Sequence, residues 1–84
     1  MNVEVRMFMD FKKYLPSDSI NGKAEICLKE GSTLEDLLKT LGIPVNQPKI
    51  IVINGISQGV STKVSEQVLK EGDVVSIFPP VAGG

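Results

Sequence analysis

The sequence predicts an α+β fold, a mixed sheet of about four to five strands with one main helix packed across it. Three observations carry that expectation. Apolar and polar residues alternate near both ends of the chain, over Asn2–Met9 and Val74–Phe78, with the period of a half-buried strand. Between them Leu34, Leu37, Leu38 and Leu41 stand at i, i+3, i+4 and i+7, one apolar stripe of a helix. Ile50-Ile51-Val52-Ile53 then runs straight into Asn54-Gly55, a β-branched strand followed by the favoured pair for a type I′ hairpin turn.

In chain order, the first strand directs Val3, Val5, Met7 and Met9 to one face and Glu4, Arg6 and Phe8 to the other. Phe8 interrupts the polar side, so the second face is expected to be partly covered near that end. Asp10–Lys23 gathers Pro16, Ser17, Asp18, Ser19, Asn21 and Gly22, a dense set of turn formers. Lys23–Lys29 alternates again, with Ala24, Ile26 and Leu28 opposed to Glu25, Cys27 and Lys29; a hairpin with the first strand is the simplest pairing. Ser32 and Glu35 have the spacing of a capping box, and Gly42 followed by Pro44 stops the helix. Its leucine stripe is expected to pack on the protein's own sheet. The run Ile50–Ile53 reads as a strand covered on both faces. Ile56–Val60 is the expected return strand, Ser61–Lys70 has room for a brief helical turn, and Glu71-Gly72-Asp73 turns the chain into the last strand. The first and last strands are both apolar enough to be central, lying side by side in parallel.

At 84 residues there is room for one small domain, which buries only about 60% of its unfolded surface. Nine basic and ten acidic side chains give a net charge of −1. That balance supplies no basic stripe for phosphate neutralisation and argues against a nucleic-acid partner. Arg6, Lys12 and Lys13 read as a solvated face. Cys27 is the single cysteine, which excludes an internal disulfide, and its apolar neighbours mark it as a small buried hydrophobe. There is no histidine, which removes the commonest general base, the commonest zinc ligand and every Ser-His or Cys-His arrangement. The chain is therefore expected to be no enzyme by itself and to hold no metal. No apolar run approaches the length that spans a bilayer and no signal-peptide core opens the chain, so a cytoplasmic location is expected.

The remaining signal follows the last strand, in Pro79-Pro80-Val81-Ala82-Gly83-Gly84. Adjacent prolines fix φ and lack amide donors, so the sheet must end there, and they hold residues 79 and 80 extended. Val81 and Ala82 are small apolar handles. Gly83 and Gly84 carry no Cβ, so nothing shields the last peptide or its carboxylate. Such a tail fits a narrow channel, and its stiffened root loses less entropy on entering one. The expected organisation is a domain over residues 1–78 and a projecting tail over 79–84.

Three stretches together carry a family resemblance: Val52-Ile53-Asn54-Gly55, Leu69-Lys70-Glu71-Gly72-Asp73-Val74-Val75 and Phe78-Pro79-Pro80-Val81-Ala82-Gly83-Gly84. They resemble the MoaD/ThiS family of ubiquitin-like sulfur carriers, and the ending is most similar to that of molybdopterin-synthase small subunits. Val5-Arg6-Met7-Phe8 and Phe11-Lys12-Lys13-Tyr14-Leu15 fit more loosely, as a strand running into a short helical turn.

The resemblance implies a β-grasp (ubiquitin-like) fold and a carrier that binds no cofactor of its own. It implies an E1-like adenylyltransferase (MoaB/MoeB/ThiF-like) that uses ATP to adenylate the Gly84 carboxylate. A sulfurtransferase or persulfide donor then makes the Gly84 thiocarboxylate. The tail would next enter a MoaE-like large subunit and give up its sulfur in molybdopterin (molybdenum or tungsten cofactor) biosynthesis. In that scheme Phe78, Pro79, Pro80, Val81, Ala82 and Gly83 contact the partners and Gly84 carries the group. The same tail also fits a ubiquitin-like modifier conjugated through Gly84 to a lysine, or a carrier for thiamine or cysteine biosynthesis. A passive β-grasp interaction module is the third reading.

Overall fold

A computed structural model of the protein describes residues 1–44, 46–58 and 66–80. Its sheet has five strands, β1 (Asn2–Met7), β2 (Lys23–Cys27), β3 (Ile50–Ile53), β4 (Ile56–Ser57) and β5 (Val74–Phe78), in the order β2-β1-β5-β3-β4. β1 and β5 lie side by side in parallel, Glu4–Met7 against Val74–Ile77, as their apolar character predicts. The other neighbouring pairs are antiparallel. Both central strands bury every second residue: Val3, Val5 and Met7 from β1, Val75 and Ile77 from β5. They share one core cluster with Leu34, Leu37, Leu38 and Leu41 of the helix α1 (Leu34–Leu41). The leucine stripe thus packs on the sheet, each buried leucine contributing about 1.5–3 kcal/mol.

The helix start lies one residue beyond the expected Ser32–Glu35 pair. Thr33 is the N-cap: its hydroxyl accepts from the Asp36 amide at 3.3 Å, and the Asp36 carboxylate accepts from the Thr33 amide at 2.9 Å. The reason is long-range. Thr33 forms a bridge with Val68, and the flanking bonds Leu34 N–H to Gln67 O (2.8 Å) and Leu69 N–H to Ser32 O (2.9 Å) hold Ser32 and Thr33 extended. Glu35, freed from capping, pairs with Lys39 at 3.0 Å, and that hydrogen bond raises the Lys39 pKa above its usual range. Gly42 ends the helix as expected, with φ 80° and its amide on Leu38 O and Lys39 O.

Four further expectations need correction. β1 stops at Met7, because Met9 takes a left-handed φ of 54° and starts a 3-10 helix over Met9–Tyr14; its side chain is 75% exposed. β2 stops at Cys27, and Cys27 is exposed: it sits on the strand's outward side, which outweighs its apolar neighbours in sequence. β3 is buried on one face only, through Ile51 and Ile53, whereas Ile50 and Val52 are half-buried on the other. The return strand β4 spans Ile56–Ser57 and leaves out Gln58 of the expected Ile56–Val60; residues 59–65, in that strand and in the Ser61–Lys70 segment expected to hold a helical turn, lie outside the described residues.

Asn54-Gly55 forms the hairpin turn between β3 and β4, with φ of 52° and 83°, both positive as a type I′ turn requires. Asn54 also reaches across to the second turn. Its Oδ1 accepts from the Val74 amide and its Nδ2 donates to Asp73 Oδ1, each at 2.9 Å. Asp73 in turn accepts from the Lys70 amide at 2.8 Å, and Glu71 from the Asn2 amide at 2.9 Å. The Asn-Gly and Glu-Gly-Asp motifs are thereby one hydrogen-bonded unit, which fixes β5 against its neighbours.

Candidate functional site

The central pair of strands delivers two aromatic residues to one place. Met7 lies opposite Ile77 on the core side, so the next residue of each strand, Phe8 and Phe78, emerges on the outer face. Their rings stack with centroids 4.3 Å apart and planes 6° from parallel. Beside them, Ile50 lies opposite Phe78 and Val52 opposite Ser76. Phe8, Phe78, Ile50 and Val52 are all half-buried. The result is an apolar strip on the outer face of the sheet that adjoins the half-buried Pro79 and the exposed Pro80. Aromatic and aliphatic residues left half-covered in this way suit the core of a protein–protein contact.

Of the predicted site residues, Phe78, Pro79 and Pro80 are brought together here. Val81, Ala82, Gly83 and Gly84 lie outside the described residues. Sequence reasoning missed Phe8, Ile50 and Val52 as members of the strip. The signal for Phe8 was its place on the polar side of an alternating strand; that for Ile50 and Val52 was their alternation with the buried Ile51 and Ile53 in β3.

On another flank of Pro79 and Pro80 lies a groove of about 430 Å³, which Asp10, Phe11, Lys13, Gln47 and Pro48 line with them. The 3-10 helix supplies one wall and the segment before β3 the other. Tyr14 Oη donates to Gln47 Oε1 at 3.0 Å, joining the two walls across 33 residues of sequence. Lys49 is only 5% exposed and its Nζ donates to the Gln47 carbonyl; burial pushes its pKa below the usual lysine range. Arg6 is paired with Glu4, and Lys13 lies 5.4 Å over the Tyr14 ring. Among the described residues no cluster of three or more His, Cys, Asp or Glu is placed to hold a metal ion, and no helix is long and apolar enough to cross a membrane.

Comparison with known proteins agrees with this architecture. The ThiS family model matches residues 16–84. The small archaeal modifier protein 3 of Haloferax volcanii is 27% identical, with both chains covered in full. Among solved structures, SAMP1 from Haloferax volcanii has a TM-score of 0.70 at 19% identity over the whole of both chains, a likeness of fold. A chain of the complex of subunits 1 and 2 of the molybdopterin-converting factor from Helicobacter pylori has a TM-score of 0.62 at 27% identity, again over the whole of both. The five-stranded mixed sheet with the α-helix packed on it is the ubiquitin-like β-grasp.

Proposed function

The chain belongs to the ThiS family of small ubiquitin-like carrier and modifier proteins, and on that premise we propose that it is a sulfur carrier for molybdopterin biosynthesis. In this reading the Gly84 carboxylate attacks the α-phosphate of ATP on an E1-like adenylyltransferase, and pyrophosphate leaves. The terminal sulfur of a persulfide displaces AMP from the carbonyl, and a thiol then cleaves the sulfur–sulfur bond, releasing the thiocarboxylate and a disulfide. The tail finally enters a larger catalytic subunit, where the thiocarboxylate sulfur bonds to the pterin precursor and water cleaves its bond to the Gly84 carbonyl, restoring the carboxylate. The protein supplies no catalytic group; it supplies a domain that partners grip and a carboxylate they act on.

The observation that carries the reading is the strip of Phe8, Phe78, Ile50 and Val52 set against Pro79 and Pro80. It gives a partner an apolar hold beside the residues that lead to Gly84, so gripping the domain also brings the carboxylate near the partner's reactive centre. The match to a complex of two molybdopterin-converting-factor subunits supports a larger subunit as one such partner. Intact mass after incubation with ATP, an E1-like adenylyltransferase and a sulfur donor tests it. Replacement of one oxygen by sulfur at Gly84 is the expected product, and a mass unchanged across several such enzymes overturns the proposal.

A second reading has its own support in the relative named as a modifier protein. There a lysine amine attacks the same acyl-adenylate and forms an isopeptide bond. Higher-mass species in cell extracts that survive thiol reductants would favour it over sulfur transfer, and extending the chain by one residue after Gly84 should abolish either activity.

A further inference from the structure

We infer that Tyr14 and Gln47 are positioning residues that join the two walls of the groove beside Pro79 and Pro80, with Lys49 bracing the Gln47 backbone, and so fix the root of the tail. This inference rests on the reading that a partner acts on Gly84. Gln47 is the common member. Its side chain accepts from Tyr14 at 3.0 Å and its carbonyl accepts from Lys49. Each link comes from a different part of the fold. Tyr14 ends the 3-10 helix and packs its ring on the buried Phe11 at 5.7 Å. Lys49 immediately precedes β3, whose first residue, Ile50, lies opposite Phe78. Gln47 also bonds its own amide to Pro44 O at 3.1 Å. The loop is therefore tied to the helix end, to the core aromatic and to the strand beside β5.

Prolines cannot hold themselves to a sheet by amide bonds. Pro79 and Pro80 line the groove together with Phe11 and Pro48, so their orientation depends on where its walls stand. The Tyr14 bond spans the two walls, and without it the root gains orientations that a partner must then remove on binding. The consequence falls on how readily the tail is engaged; the reacting carboxylate's chemistry is untouched.

The test uses Tyr14→Phe, Gln47→Met and Gln47→Glu, the last retaining an acceptor for the tyrosine hydroxyl. One readout needs no partner: nuclear Overhauser contacts from Pro79 and Pro80 to Phe11 and Pro48. The other is ATP–pyrophosphate exchange by an E1-like adenylyltransferase with the carrier as substrate. Tyr14→Phe and Gln47→Met should lose those contacts and raise the KM for the carrier by about 3- to 10-fold, the equivalent of one hydrogen bond, with kcat within about 2-fold and urea midpoints close to wild type. Gln47→Glu should behave as wild type. Contacts retained in both disruptive variants overturn the inference, as does a KM that stays put when the contacts are lost. A wild type that supports no exchange overturns the functional reading instead, and the contacts alone then decide whether the latch exists.

Discussion

Replacing Asn54 by Asp converts the joint between the two turns into a pair of facing carboxylates. In the native protein Nδ2 of Asn54 donates to Asp73 Oδ1 at 2.9 Å, and Oδ1 accepts from the Val74 amide at the same distance. Asn54→Asp keeps the second bond and the backbone preference for a φ of 52°. The first bond becomes a repulsion. Losing a hydrogen bond at this exposed site costs about 0.5–1.5 kcal/mol, and two unit charges roughly 4 Å apart in water repel by about 1 kcal/mol. The expected loss at neutral pH is therefore about 1.5–2.5 kcal/mol, or roughly 6–20 °C in Tm for a domain of this size. Its pH dependence has a definite sign. Like charges disfavour double ionisation in the folded state, so the pair's folded pKa is raised; the penalty is full above it and fades as pH falls towards about 4, where one carboxyl takes a proton. Urea unfolding of wild type and variant at about pH 7 and about pH 4 measures both terms. A stability gap of the same size at both pH values would refute the charge argument, and no gap at all would refute the joint.

Leu38, 2% exposed on the packed face of α1, should cost about 3 kcal/mol on truncation to Ala, read from the urea midpoint; a change under about 1 kcal/mol would dislodge the helix from the sheet. Lys49→Met probes the buried ammonium. Burial lowers the Lys49 pKa below its ordinary 10.5, so between the folded and unfolded values the unfolded chain binds more protons and wild-type stability rises with pH. Relative to Lys49→Met, the wild type should gain stability as pH climbs towards 10.5, and parallel pH profiles would contradict that. Phe8→Ala should lose the aromatic stack, worth about 0.5–1.5 kcal/mol, and weaken a partner's binding by about tenfold or more in calorimetry if the strip is an anchor; unchanged affinity removes Phe8 from the interface.

The strands and the helix were legible because their signals are local. Alternation placed β1, β2 and β5, the leucine stripe placed α1, and Asn54-Gly55 placed the hairpin turn. Errors came where two local patterns overlap and a distant contact chooses between them. Ser32-Thr33-Leu34-Glu35-Asp36 holds two overlapping capping boxes, and the bridge from Thr33 to Val68 selects the second. Alternation likewise continues to Met9, but the chain turns there through a positive φ. The outer strip was the least legible part of the site. Phe8 and Phe78 stand at opposite ends of the sequence, and their stacking follows only once β1 and β5 are known to be parallel and in the register Met7 to Ile77.

That parallel pairing also has a mechanical side. β5 lies between β1 and β3, hydrogen-bonded along both edges, and it is the strand that leads directly into Pro79. A force drawing Pro79 away along the strand loads both ladders in shear, so their bonds share it instead of parting one after another from an end. An edge strand in the same position would peel. The domain can thus bear a pull on Pro79 while its core stays shut.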